Sequence, residues 1–215
     1  MNYLWNPKWE QQFETFLYTQ MAGSDAAHDL SHIYRVVKNT LLLTEKEGAG
    51  ELAIIIPAAW LHDCVVVAKD SPQRPFASRL AAETAVSFLK SINYPAEHHA
   101  AIAHAIAAHS FSANIPCETV EAQLVQDADR LDSLGAIGIA RCLQTGVGMK
   151  RPLYAPSDPF CHHRQPNDDT ATIDHFYVKL LTLAGTMQTG AGRVEADLRT
   201  AVMQDWLAQL EAEIG

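Results

Sequence analysis

Apolar residues in this chain recur at steps of three and four over most of its length, the spacing that lines one face of an α-helix. The stretches "WEQQFETFLYTQM", "HIYRVVKNTLLLTEKEG", "ASRLAAETAVSFLKSI", "AAIAHAIAAH", "VEAQLVQDADRLDSLGAIGIARCL", "IDHFYVKLLTLAGTM" and "VEADLRTAVMQDWLAQLEAEI" each carry it, and strand-like alternation is almost absent. The pattern predicts an all-α fold. Breakers fall where those helices should stop: Gly48 and Gly50, the turn from Ser71-Pro72 to Pro75, Asn93 to Pro95, Asn114 to Pro116, then "GVGMKRPLYAPSDPFCHHRQPNDD". The last of these is a long irregular segment, and long loops in compact domains are often lids or binding loops. In the final helix Val194, Leu198, Val202, Trp206 and Leu210 form an apolar stripe expected to pack on its own chain, or alternatively on a second copy in a homodimer.

Composition narrows the class. At 215 residues, with 48% hydrophobic and 19% charged residues, the chain reads as one globular domain spanning 1–215. It carries no apolar run of the roughly 18 residues that a membrane span needs. The opening "MNYLWNPKWEQQFETF" lacks the pattern of a signal peptide, so a cytoplasmic protein is expected. A net charge of −9 with no basic run speaks against a nucleic-acid polymer as partner, because such binding neutralises many phosphates with Lys and Arg. A small phosphorylated substrate in a local basic pocket stays open. The four cysteines show no C-x-x-C spacing and read as reduced thiols, Cys64 included, although it adjoins Asp63.

Two His-Asp pairs hold the candidate chemistry: His28-Asp29 in "AAHDLSHIYR" and His62-Asp63 in "WLHDCVV". "HDLSH" sets His28 and His32 four apart, which superficially resembles the H-E-x-x-H of zinc peptidases. The same stretch also reads as a helix start in which acidic residues serve as caps. The second pair ends an apolar helix, where an unpaired carboxylate and imidazole would cost several kcal/mol to bury. "VQDADRLD" repeats the difficulty in another amphipathic stretch, with Asp129 and Asp132 on one face and Asp127 elsewhere. A divalent cation collecting His32, His62, Asp63 and Asp129 would remove these penalties together. Neutral imidazole with carboxylate suits Mn, Fe, Co, Ni or Zn. The alternative is scattered surface carboxylates in salt bridges.

The order of His32 in "HDLSHIYRV", His62-Asp63 in "WLHDC" and Asp129 in "QDADRLDSLGA" resembles the HD-domain metal-dependent phosphohydrolases, over about residues 20–145. The segments "HAIAAHSFS", "DPFCHHRQPNDD" and "DHFYVKLL" are similar to a small bacterial branch that includes nucleoside triphosphate pyrophosphohydrolases. The resemblance implies an HD-domain helical bundle with an additional C-terminal helical portion, about residues 146–215, that includes a lid loop. It also implies one metal ion (Mn, Mg, Fe, Co, Ni or Zn) on His32, His62, Asp63 and Asp129. No Gly-Tyr-Pro motif points to the cyclic dinucleotide phosphodiesterases. The stretch "CVVVAKD" lacks the Glu that follows the pair region in nucleoside monophosphate phosphatases and alarmone hydrolases.

Phosphoryl transfer needs a positioned nucleophile, charge neutralisation on the phosphoryl oxygens and help for the leaving group. Asp63 or Asp129 is expected to orient the attacking water. Arg35, three residues beyond His32, and Lys69, six beyond Asp63, are expected to hold phosphate. His104 and His109 are general-acid candidates. Five residues make about 500° of helical turn, so only one of the two should face the site, and His109, at the presumed helix end, is favoured. The expected activity is cleavage of nucleoside or deoxynucleoside triphosphates to monophosphate and pyrophosphate. The alternatives are a nucleotide-binding regulatory module with a structural metal, or a phosphomonoesterase or phosphodiesterase acting on another nucleotide.

Overall fold

The computed structural model of the chain describes residues 7–20, 30–65, 67, 71–110 and 113–214. Nine α-helices and three short 3₁₀ turns lie among them, with no strand. The chain forms two compact units, residues 1–129 and 130–215.

In the first unit, α1 (Pro7–Gln20), α2 (Leu30–Glu47), α3 (Leu52–Leu61), α4 (Ala77–Ser91), α5 (His99–His109) and most of α6 (Val120–Leu131) surround one core. Helix α2 buries Ile33, Val36, Val37, Thr40 and Leu43, the inward stripe its sequence predicts. It ends at Gly48, whose φ of +68° a side chain would resist, and the Gly48 N–H closes the last turn on the Thr44 carbonyl at 3.0 Å. Helix α3 is apolar all round and buried from Ile54 to Leu61, as a central helix must be. It tolerates Pro57 because of a local substitution: the ring removes the N–H that would serve the Ala53 carbonyl, and the Tyr94 hydroxyl donates to that carbonyl at 2.6 Å instead. Aromatic packing ties α1 to α4, with Phe16 stacked on Phe88 at 3.9 Å between ring centroids. Tyr34 of α2 donates to Glu14 of α1.

The second unit contains α7 (Gly135–Gly148), α8 (Asp174–Val178), a 3₁₀ turn (Leu180–Thr186) and α9 (Gly190–Ile214). Three sequence expectations are corrected around it. The stretch from Val120 to Leu143 is two helices and not one, because the chain turns through Ser133 to Gly135, where φ is +67°. "IDHFYVKLLTLAGTM" is broken at Lys179 between α8 and the 3₁₀ turn. The predicted stripe on α9 is not the buried one: Val194, Leu198 and Val202 are exposed, while Gly192, Ala196, Thr200, Met203 and Leu207 face inward. Of the predicted stripe, Trp206 is half-buried and stacks on Phe176 at 5.5 Å.

The irregular segment before α8 is built around one carboxylate. Asp174, fully buried, accepts from Arg164 Nη1 (2.5 Å), Arg164 Nη2 (2.7 Å) and the Asn167 N–H (2.6 Å). Asp158 accepts the backbone N–H groups of His162 and His163, and Arg164 Nε donates to the Asp158 carbonyl. A backbone and side-chain lattice of this kind gives the loop a defined shape.

Candidate metal centre

His32 sits in the first turn of α2 and is 1% exposed. His62 and Asp63 follow the last residue of α3, where the end of the helix frees both side chains to turn toward α2. Asp129 projects from α6. These elements bring four ligand atoms together. His62 Nε2 lies 3.3 Å from His32 Nε2; Asp63 Oδ2 lies 3.7 and 3.8 Å from the two nitrogens, and Asp129 Oδ1 lies 3.4 and 3.9 Å from them. Bonds of about 2.0–2.2 Å to a common ion place tetrahedral ligand atoms about 3.3–3.6 Å apart, and higher coordination spreads that range. His32, His62 and Asp129 therefore form one group able to hold a metal ion, and His62, Asp63 and His109 form a second that shares His62.

The ring orientations are set locally. The last carbonyls of a helix have no intrahelical donor, and His62 Nδ1 lies 2.8 Å from the carbonyl of Ala59, three residues back. Donation there fixes the tautomer in which Nε2 carries the lone pair, the usual arrangement for a metal-binding imidazole. His109, the last residue of α5, repeats the device, with Nδ1 2.6 Å from the Ile106 carbonyl. Its Nε2 lies 3.5 Å from Asp63 Oδ1, while Oδ2 is the oxygen nearest His32 and His62. A fifth side chain thus joins the cluster through Asp63.

The electrostatics follow from this packing. Burial pushes His62 down to about 4, with His109 also lowering it against the pull of Asp63 and Asp129, so the ring is neutral and able to coordinate. Burial works to raise the Asp63 carboxyl, but His62, His109 and His32 together hold it well below the usual carboxylate range. Burial likewise works to lower His109, and its bond to Asp63 outweighs that, raising it to about 9.

His104, the other general-acid candidate, accepts the Glu118 N–H on its Nε2 at 3.1 Å and belongs to neither ligand-type cluster found among the described residues. Arg35 is half-buried on α2, one turn beyond His32. Lys69, like His28 and Asp29, lies outside the described residues. The second carboxylate of the "DADRLD" face, Asp132, is bound by Arg141 at 2.5 Å. The Cys64 thiol donates to the Ala81 carbonyl, and burial, then Asp63, pushes it up to about 12, which leaves it a filler in the core. Two buried amides escaped the sequence reading. Asn39 donates to the Ala128 carbonyl at 3.3 Å, next to Asp129, and Gln126 to the Ala108 carbonyl at 2.7 Å, next to His109. The available signal was a glutamine on the buried side of α6, beside Ala122 and Val125.

The HD domain family model matches residues 29–134, a span that contains the whole cluster. An HD-superfamily hydrolase from Bacillus thuringiensis is 34% identical, with 96% of each chain covered and a TM-score of 0.73. A Lactobacillus plantarum protein of known structure is 32% identical, with 98% of each covered and a TM-score of 0.71. The uncharacterized protein YpgQ of Bacillus subtilis is 30% identical over 212 residues, 96% of this chain and 94% of that protein. Its crystal structure in complex with ADP superposes with a TM-score of 0.72. The chain belongs to the HD-domain superfamily and is a metal-dependent phosphohydrolase.

Proposed function

We propose that the protein hydrolyses a nucleoside or deoxynucleoside triphosphate to the monophosphate and pyrophosphate. The observation that carries the nucleotide is the ADP complex of YpgQ, a relative matched over 95% of this chain and 97% of its own. His32, His62, Asp63 and Asp129 would hold one divalent cation, Mn, Mg, Fe, Co, Ni or Zn. When bound, it would neutralise phosphate charge and make a water molecule acidic.

The remaining chemistry belongs to the chain's own side chains. Asp63 orients the attacking water. The bond from that water to the α-phosphorus forms as the bond from the α-phosphorus to the bridging oxygen breaks, and the proton that the water loses is released to solvent. His109, protonated against Asp63, gives its proton to the departing pyrophosphate. Arg35 and Lys69 hold phosphate oxygens. His104, engaged with Glu118, takes no part.

A screen of nucleoside mono-, di- and triphosphates and generic phosphoesters, each with Mn, Mg, Co and Ni, tests this reading by resolving pyrophosphate from phosphate release. Pyrophosphate and monophosphate from triphosphates are expected. Phosphate from monophosphates alone would make the protein a phosphomonoesterase. Nucleotide binding without turnover under any metal would make it a regulatory module.

A further inference from the structure

Helix α5 ends at His109, with Ser110 extended at φ −73° and ψ 128°, so the carbonyls of its last turn have lost their intrahelical donors. Two of them are served by side chains. The Ile106 carbonyl is served by the ring of His109 itself, and the Ala108 carbonyl by Gln126 Nε2 from α6 at 2.7 Å, with the Cys117 thiol at 3.7 Å. The Ala108 carbonyl and the His109 N–H belong to one rigid peptide plane. Holding that carbonyl from a neighbouring helix therefore fixes the plane from which the His109 side chain departs.

Gln126 is 4% exposed, and its Oε1 has no hydrogen-bond partner among the described residues. A buried unpaired acceptor costs stability, which a methionine or leucine of similar size would not. Rotating the amide by half a turn gives no relief, because it would set Oε1 against the Ala108 carbonyl. The amide is thus kept where an apolar side chain would pack without penalty, and the bond that it makes among the described residues is to the residue before His109.

We propose that Gln126 is a positioning residue: it holds the end of α5 so that His109 Nε2 meets Asp63. The proposal rests on the catalytic role assigned to His109 for its kinetic consequence, but not for its structural one. Gln126→Met, which keeps the volume and removes the donor, is expected to retain wild-type metal content and KM while lowering kcat by about tenfold or more. In the His109→Ala background the same change should alter kcat by less than about twofold, since a residue that acts only through His109 has nothing left to position. Losses that multiply across the two backgrounds, a kcat within about twofold of wild type, or loss of metal would each overturn the proposal.

The ring ¹⁵N resonances of His109, assigned by their loss in His109→Ala, provide a readout that needs no substrate. They should shift in Gln126→Met while those of His62 stay in place, and unchanged His109 resonances would overturn the proposal. If the wild-type protein turned over no nucleotide, the functional reading would fall alone and the spectra would decide this one. Should Gln126→Met fail to fold, Gln126→Asn, with its amide one methylene short of the Ala108 carbonyl, enters the same cycle and spectra.

Discussion

Replacing Asp129 with asparagine keeps the shape of the side chain and removes one of the two anionic oxygens that face His32 and His62. The wild-type site offers two imidazole nitrogens and two carboxylate oxygens, with nearest separations of 3.3–3.9 Å from the imidazole nitrogens. Loss of a supporting partner outside the ligand set weakens metal binding about 10–100-fold, so loss of an anionic ligand should weaken it by at least about 100-fold. Binding to the folded state alone stabilises it by RT ln(1 + [M]/Kd), about 2.7 kcal/mol at 100 times Kd. For a chain of this length that is a rise in Tm of about 5–11 °C. At the same metal concentration a variant with a Kd 100-fold weaker gains only about 0.4 kcal/mol, a rise of about 1–2 °C. Because Asp129 is 28% exposed, the variant and wild type should melt within about 2 °C of each other in excess chelator. Thermal melts of tag-free protein with and without Mn²⁺ measure both differences. A metal-induced rise of equal size in the two proteins would refute the ligand assignment.

His104→Ala should leave metal content and kcat unchanged and cost about 1 kcal/mol, because it removes only the acceptor for the Glu118 N–H; melts with parallel kinetics check it. Asp174→Asn should destabilise the neutral-pH protein by about 3 kcal/mol, the lower end for a broken buried pair because Arg164 is 24% exposed. Desolvation opposes ionisation of Asp174, but Arg164 and the Asn167 N–H hold its folded-state value below the usual range, so the pair's stabilisation is present above the unfolded value near pH 4 and lost as pH falls through the folded one. Urea titrations from pH 7 to 3 should therefore show the gap between wild type and variant closing with acid. Gly146→Ala would set a Cβ 2.2 Å from Thr172 Oγ1 in a buried stretch of α7, and calorimetry should register a loss of about 1–3 kcal/mol.

Much of the site was legible because buried charge is expensive. His62-Asp63 after "IIIPAAWL" and Asp129 in an apolar-faced helix demanded a common partner, and the order of the motifs completed the reading with His32. Angular spacing could say that His104 and His109 do not share a ligand, but not which of them faces inward. Chain termination decided it, since His109 holds the last turn of α5 and His104 turns to Glu118. The inward face of α9 was misread because its buried positions include the small or polar Gly192, Ala196 and Thr200, while larger apolar residues at Val194, Leu198 and Val202 stay outside. The break between α6 and α7 was hidden because apolar spacing continues through Leu131, Leu134 and Ile139, although the chain between them turns. Asn39 and Gln126 left little trace in the sequence, because what they do depends on which carbonyls other helices leave open.

His62 and His109 each borrow their orientation from a carbonyl three residues back in their own helix. The tautomer of each ring therefore travels with its own helix end, while the bearing of the α5 end also rests on the bond from Gln126 of α6 to the Ala108 carbonyl. A substitution that lets either helix run on by a single turn would remove the free carbonyl and turn the ring away. This economy makes the helix-end histidine a portable unit. Grafted onto the last turn of an unrelated helix, it carries its own tautomer, and the recipient scaffold has to hold that helix end and bring two such ends and a carboxylate within reach of one another.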